Sequence, residues 1–154
     1  MTLHFAYGSN MSRPHMRTRC PGATAIGTAT LAGWRFVINP DGYGSIAPQA
    51  GRIVHGVLWR LSPRDLAVIN AYENVAGGLY LRRVLPVLHG ERRERALVYI
   101  ATRAGEGTPR PGYIELVAAA ARDWDMPKVY IASLQRWSPS AWHGARMKDV
   151  GEIG

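Results

Sequence analysis

The stretch of sequence that decides the fold is RIVHGVLWRLSPRDLAVINAYE, residues 52–73. Its first half is apolar on both sides of an alternating pattern, which is typical of a strand buried on two faces. Its second half begins with Ser62, Pro63 and Asp65, which suit the N-cap, first and third positions of a helix. We therefore predict a strand over residues 52–61 that leads directly into a helix over the rest of the stretch.

The remaining elements mix irregularly, without the regular alternation of a doubly wound parallel sheet. Alternation and β-branched residues predict strands over residues 2–6, 23–38 (broken at Gly27 and Gly33), 44–48, 80–88 and 92–101. Caps, prolines and apolar spacing predict helices over residues 12–20, from 109–111 to 124, and 127–137. The pattern predicts an α+β fold with a curved, largely antiparallel sheet or barrel.

Length and composition describe one ordinary globular domain of 154 residues, 47% of them hydrophobic and 19% charged. The single cysteine, Cys20, excludes an internal disulfide framework and a zinc site made of cysteines. No charged and then apolar leader opens the chain, and the longest apolar run, residues 116–121, is too short to span a bilayer, so a cytosolic location is expected. We predict one domain over residues 1–137 and a loosely ordered tail over residues 138–154.

The chain is strongly basic, with 19 Lys and Arg residues against 11 Asp and Glu and a net charge of +8. Such a balance suggests nucleic acid or an anionic small molecule as a partner. The arginines concentrate in the two strands after the long helix and in the first helix: Arg82, Arg83, Arg92, Arg93 and Arg95, and Arg13, Arg17 and Arg19. The alternative is an ordinary solvated face, and composition alone leaves the choice open.

Glu73 is the first candidate catalytic residue. Leu66 and Ile69 are three residues apart and Glu73 follows four later, so all three share the apolar face of the predicted helix. A carboxylate directed into the interior without a salt-bridge partner has a raised pKa and can act as general acid or base near neutral pH. The alternative is a solvated carboxylate at a frayed helix end.

Tyr113 is the second candidate, because it begins the apolar stripe of the next helix. A buried tyrosine finds a partner for its hydroxyl, which is either a backbone carbonyl of the core or a ligand. The spacing leaves both interpretations open.

The third candidate is the segment Tyr7-Gly8-Ser9-Asn10, which follows the first predicted strand. A glycine and small polar residues at a strand end let backbone N–H groups point into one concavity that suits a carboxylate, a phosphate or an oxyanion. The spacing matches neither a phosphate loop nor a dinucleotide site. A tight turn without a ligand is the alternative.

Taken together, these segments resemble the γ-glutamylcyclotransferase-like (AIG2-like) family. The resemblance is carried by FAYGSNM (5–11), HGVLWRL (55–61), YENV (72–75) with GLY (78–80), and PRPGYI (109–114). The order of these blocks, spread from about residue 3 to about residue 137, is far more specific than any one of them.

The resemblance implies a small mixed barrel with flanking helices and a pocket at one end. It implies a loop that holds a γ-glutamyl group through backbone amides, which by position is Tyr7, Gly8, Ser9 and Asn10. It also implies a catalytic acid/base at Glu73, a helix tyrosine that closes the pocket at Tyr113 and a pocket-wall residue at Tyr80. The implied reaction cyclises the γ-glutamyl group of an amino acid, peptide or amine to 5-oxoproline and releases the amine. We expect no cofactor, no metal, no specific nucleic acid and no membrane partner, and a monomer or homodimer. Asn74, where the family commonly has glycine, and the longer loop 75–78 depart from the family pattern beside the acid.

Other assignments have less support from the sequence. Ser9 lacks the Gly-x-Ser-x-Gly elbow of a serine nucleophile. Cys20 lies in an arginine-rich helix that is expected to lower its thiol pKa, but nothing places His55 or His89 beside it. The five histidines have no metal-binding spacing and are expected on the surface or on a barrel face: His4, His15, His55, His89 and His143. A binding protein that keeps the fold and pocket without catalysis is the alternative function.

Overall fold

In the computed structural model, which describes residues 1–138, five strands close into a barrel. The strands are β1 (Thr2–Ala6), β2 (Thr24–Ile38), β3 (Gly44–Leu61), β4 (Tyr80–His89) and β5 (Arg92–Ala101). Their order around the barrel is β1-β3-β2-β4-β5. The β1–β5 pair is parallel and the other neighbours are antiparallel. The predicted α+β fold with a mixed, largely antiparallel barrel is confirmed.

β2 and β3 form one long hairpin, in contrast to the shorter strands expected from the sequence. The prediction broke β2 at Gly27 and Gly33 and separated residues 44–48 from the strand that follows, whereas both strands run through. The ladder shifts register next to Gly27 and next to Gly33, and Gly33 and Gly51 have φ values of 86° and 82°. Because glycine adopts positive φ at little steric cost, it bends a strand at a bulge without ending it.

The turn between β2 and β3 is built around Asn39. Its side-chain Oδ1 accepts hydrogen bonds from the backbone amides of Asp41 and Tyr43, each at 3.0 Å. Gly42 donates its amide to the Asn39 carbonyl at 2.9 Å and has a φ of 90°, which a residue with a Cβ adopts only with strain. This turn brings Tyr43 and Gly44 to the open end of the barrel, where the candidate site lies.

Four α-helices are present in the described residues: α1 (Arg13–Arg19), α2 (Pro63–Tyr72), α3 (Tyr113–Asp123) and α4 (Lys128–Gln135). The predicted cap of α2 is confirmed, because Ser62 Oγ accepts from the Asp65 amide at 3.1 Å. The same hydroxyl donates to the buried Asp65 carboxylate at 2.8 Å. A short 3₁₀ turn over Ser9–Met11 joins β1 to α1.

Helix α3 buries a face that is broader than the predicted stripe. Val117 and Ala121 are buried as expected, and Ile114 and Ala118 are buried beside them. At the far end of the helix, the indole N–H of Trp124 donates to the Met11 carbonyl at 2.8 Å. This bond ties the C-terminal end of α3 to the segment that follows β1.

Ser138, the first residue of the predicted tail, is buried, and its hydroxyl donates to the Glu115 carboxylate at 3.3 Å. The rest of the predicted tail, residues 139–154 with His143, lies outside the described residues.

Candidate active site

A cavity of about 220 Å³ opens at one end of the barrel, between the end of β1, the end of α2 and the start of α3. The seven site residues predicted from the sequence all line this cavity: Tyr7, Gly8, Ser9, Asn10, Glu73, Tyr80 and Tyr113. The remaining wall consists of residues that were not among the predicted site residues: His4, Phe5, Ala6, Tyr43, Gly44, Tyr72, Leu79 and Tyr99. Segments far apart in the chain therefore meet around one space.

The loop after β1 is a tight 3₁₀ turn over Ser9–Met11. The amides of Met11 and Ser12 close the turn on the carbonyls of Gly8 and Ser9, each at 3.0 Å. Within residues 1–138, no backbone carbonyl accepts from the amides of Gly8 or Asn10. A Cβ at Gly8 would stand 2.7 Å from the Tyr113 hydroxyl, so only glycine lets the loop approach α3 this closely.

Glu73 immediately follows the last residue of α2, and its amide donates to the Ile69 carbonyl at 2.9 Å. The side chain is only partly exposed, and in the described part of the chain its carboxylate has neither a salt bridge nor a hydrogen bond. Burial raises the pKa of Glu73 from 4.5 to about 7, and the positive charge of Arg19 opposes this rise. The geometry thus favours the interior carboxylate over the frayed, solvated one.

Three tyrosines of the wall form a hydrogen-bonded frame. The Tyr113 hydroxyl accepts from the Gly44 amide at 3.0 Å, and the Tyr80 hydroxyl donates to the Gly44 carbonyl at 2.7 Å. The Tyr7 hydroxyl donates to the Tyr99 carbonyl. Burial raises the pKa of Tyr7, Tyr80 and Tyr113, and the nearby Glu73 adds to it, so these phenols stay neutral at physiological pH.

His4 is a wall residue for which the sequence predicts a position on the surface or on a barrel face, and the barrel-face position is the one observed. It lies on β1 but is buried, and its Nδ1 is 3.2 Å from the Leu97 carbonyl. Since a carbonyl only accepts, Nδ1 carries the proton. Burial lowers the pKa of His4 to about 4, so the ring is neutral at physiological pH. Alternation along β1 could have placed His4 on a buried face, but not beside this cavity.

The pKa of the Cys20 thiol differs from the expectation. The arginine-rich helix was expected to lower the pKa of its thiol, but the pKa is raised to about 11. Burial is the largest cause, Asp65 adds to it, and Arg19 only partly offsets both. The thiol contacts the Asp65 carbonyl at 3.7 Å and is absent from the cavity wall, so Cys20 is a core residue.

Two kinds of feature are absent from residues 1–138, namely metal-binding clusters and membrane-spanning helices. No group of three or more His, Cys, Asp or Glu side chains in residues 1–138 is arranged to hold a metal ion. No helix of that same region is long and apolar enough to cross a membrane.

The sequence of the chain matches a known protein family. The family model described as "Gamma-glutamyl cyclotransferase, AIG2-like" matches residues 4–126, which include the seven predicted site residues. The chain belongs to this family. The family resemblance stated from the sequence is therefore confirmed.

Two curated members of the γ-glutamylcyclotransferase family align along nearly the whole chain. The "Gamma-glutamylcyclotransferase" of Bos taurus is 26% identical over 162 residues, covering 98% of this chain and 86% of that protein. The protein of the same name from Homo sapiens is 24% identical over 162 residues with the same coverage.

Solved structures agree with the γ-glutamylcyclotransferase family assignment at the level of fold. One described as "Gamma-glutamyl cyclotransferase" has a TM-score of 0.81 at 24% identity, covering 87% of this chain and 86% of its own. The crystal structure of YkqA from Bacillus subtilis has a TM-score of 0.76 at 20% identity, covering 88% of this chain and 53% of its own. At these identities the likeness establishes the fold alone.

The family departure at Asn74 has a structural counterpart beside the cavity. Asn74 has a φ of 51°, in the left-handed region where glycine is the usual residue. Its side chain compensates by accepting from the Gly77 amide at 3.1 Å. A Cβ at Gly77 would stand 2.4 Å from this side chain, so Asn74 and Gly77 together set the shape of the loop after Glu73.

Proposed function

We propose that this protein is a γ-glutamylcyclotransferase, which converts the γ-glutamyl group of an amino acid, peptide or amine into 5-oxoproline. The α-nitrogen of the substrate attacks its own γ-carbonyl carbon, and the bond from that carbon to the acceptor nitrogen breaks. The α-ammonium loses two protons as it becomes the lactam N–H, and the acceptor gains two as it leaves as an ammonium ion. No covalent enzyme intermediate is required, because the substrate supplies its own nucleophile.

The observation that carries the proposal is the position of Glu73, a carboxylate without an ionic partner in the described residues, on the wall of the cavity. Its pKa of about 7 means that both protonation states are populated near neutral pH. A group of this kind can take a proton from the attacking nitrogen and return one to the leaving nitrogen. We assign Glu73 to both transfers.

The loop after β1 supplies the other half of the proposed chemistry. The amides of Gly8 and Asn10, which have no backbone acceptor within residues 1–138, can bind the α-carboxylate of the substrate or stabilise the developing oxyanion, because an N–H group in a tight turn favours negative charge. The neutral hydroxyls of Tyr80 and Tyr113 line the same cavity, and that of Tyr113 lies directly beside Gly8 of the loop. A rigid enclosure favours the folded, near-attack form of the γ-glutamyl chain, and such ordering can contribute effective molarities on the order of 10⁵–10⁸ M.

The acceptor side of the substrate would face the part of the wall formed by Tyr43, Tyr72 and Leu79. These residues come from the β2–β3 turn and from the segments on either side of the loop after Glu73. We propose that they, together with the Asn74–Gly77 loop, select the acceptor among amino acids, peptides and amines.

The test is 5-oxoproline release from a panel of γ-glutamyl amino acids, peptides and amines, measured with wild-type protein and with Glu73→Gln. The variant keeps the shape of the side chain but cannot exchange protons, so we expect kcat/KM to fall by about 10²–10⁴-fold. Between pH 6 and pH 8 the wild-type Glu73 goes from about one-tenth to about nine-tenths ionised, and activity should rise accordingly.

Glu91→Gln is the matched control, because Glu91 is an exposed carboxylate in the β4–β5 turn. It should keep wild-type activity. Near wild-type rates in Glu73→Gln would remove Glu73 from the mechanism. Tight binding of γ-glutamyl compounds by a wild-type protein that releases no 5-oxoproline would instead establish the non-catalytic binding protein.

A further inference from the structure

Arg19, in the last turn of α1, connects two parts of the candidate site that are far apart in the chain. Its guanidinium donates to the Ser9 hydroxyl at 3.2 Å and to the Asn10 side-chain carbonyl. It also donates to the Tyr72 hydroxyl at 2.7 Å, and its carbon lies 3.8 Å from the centre of the Tyr72 ring. Ser9 and Asn10 belong to the loop after β1, and Tyr72 is the last residue of α2 before Glu73.

The guanidinium has no acidic partner among residues 1–138, since its hydrogen bonds go to neutral oxygens only. Its charge is felt at Glu73, where it opposes the effect of burial on the pKa. The other titratable groups that interact with Glu73 are the phenols of the cavity wall, Tyr7, Tyr80, Tyr99 and Tyr113, which are neutral. Arg19 is thus the cationic neighbour of the proposed acid/base.

From these contacts we propose that Arg19 is a positioning residue, which holds the Gly8–Asn10 loop and the end of α2 at the distance and orientation that the proposed catalysis requires. The proposal rests on the proposed function, since the loop binds the substrate and Glu73 transfers the protons in that function. Arg19 itself is absent from the cavity wall, so it acts through Ser9, Asn10 and Tyr72.

Arginine suits this task for a geometric reason. Its planar guanidinium presents several N–H donors in a rigid fork, whereas the ammonium of lysine is a compact point charge on a flexible stem. A lysine at position 19 can supply positive charge near Glu73 but cannot hold three oxygens and stack on the Tyr72 ring together. The two contributions of Arg19, charge and geometry, are therefore separable by substitution.

The test compares Arg19→Met and Arg19→Lys with Arg17→Met, which removes an exposed arginine from the same helix and serves as the control. Steady-state kinetics with a γ-glutamyl amino acid gives kcat and KM across pH 5.5–8.5. Carbon-13 NMR titration of the Glu73 carboxyl, identified by its absence in Glu73→Gln, gives the pKa without any need for turnover.

We expect Arg19→Met to lower kcat/KM by about 100-fold, as a displacement of about 1 Å in a catalytic arrangement can do. The pKa of Glu73 should rise in the NMR titration, and the pH midpoint of kcat should move upward with it. Arg19→Lys should keep the wild-type pKa but still raise KM, because the loop is no longer held. Arg17→Met should match the wild type in every measurement.

A wild-type KM in both Arg19 variants would overturn the positioning role. An unchanged Glu73 pKa in Arg19→Met would overturn the electrostatic contribution. If Arg19→Met does not fold, the KM of Arg19→Lys still decides the matter. If wild-type protein releases no 5-oxoproline from any compound, the proposed function fails. The role of Arg19 in holding the loop is then decided by calorimetry, which measures the affinity for a γ-glutamyl amino acid. Both Arg19 variants should weaken this affinity, and Arg17→Met should not.

Discussion

Replacing Glu73 by glutamine should make the protein more stable at alkaline pH, although it should lower the activity strongly. The folded state holds the proton of Glu73 more tightly than the unfolded chain, because burial raises its pKa from 4.5 to about 7. As pH rises between these two values, the unfolded state loses the proton first, so the free energy of unfolding falls. Above pH 7 the folded protein holds an ionised, partly buried carboxylate at a cost that a neutral amide does not incur.

The size of the effect follows from the two pKa values. A difference between 4.5 and about 7 corresponds to at most about 3.4 kcal/mol at 1.36 kcal/mol per pKa unit. Because Glu73 is partly exposed and solvent screens its charge, we expect roughly 1–2 kcal/mol at pH 8. About a quarter of that difference should be left at pH 5. In a domain of this size, the gain at pH 8 corresponds to roughly 3–6 °C in Tm.

Urea unfolding at pH 5 and pH 8, followed by tryptophan fluorescence, measures this difference between wild type and Glu73→Gln. Glu91→Gln is again the control, since it raises the net charge of +8 by the same amount without involving a buried group. If Glu73→Gln is no more stable than wild type at pH 8, or gains equally at both pH values, Glu73 is not the raised-pKa carboxylate described here.

Two further predictions concern close packing at the site and the cap of α2. Gly8→Ala should lower 5-oxoproline release at least tenfold, because the new Cβ would stand 2.7 Å from the Tyr113 hydroxyl and displace the loop or the tyrosine; an unchanged rate would show that the loop yields freely. Ser62→Ala should lower the free energy of unfolding by about 1–2 kcal/mol in urea titrations, because it removes the N-cap and leaves the buried Asp65 carboxylate without its hydroxyl donor. A loss below about 0.3 kcal/mol would contradict the second prediction.

Local sequence signals predicted the elements whose ends are marked by capping or turn residues. The capping residues before α2 and the two strands around residues 89–91 appear where the sequence placed them, whereas α3 begins at Tyr113 and not at residues 109–111. Prediction failed where glycine has two possible effects. Gly27 and Gly33 could end a strand or bend it, and the choice depends on whether β3 continues alongside, which local sequence does not record.

For the site, the sequence supplied candidates, and the family resemblance selected among their alternative interpretations. Spacing alone allowed Glu73 to be buried or solvated and Cys20 to be activated or inert. Both outcomes depend on burial, because desolvation exceeds the opposing influence of Arg19 at each group. Burial depends on what packs against a side chain from other elements, and therefore only the folded chain determines it.

The sequence by itself determined the family and the α+β class, and it predicted seven of the fifteen residues that line the cavity. Only the tertiary structure placed His4 and Tyr99 on the same wall and brought Arg19 against both the loop and the end of α2. The physical reason is that such contacts join distant parts of the chain: Arg19 and Tyr72 are 53 positions apart, and Tyr7 and the Tyr99 carbonyl that accepts its hydroxyl proton are 92 apart. Periodicity along one strand or helix specifies which face a residue occupies, whereas closure of the barrel decides which faces meet.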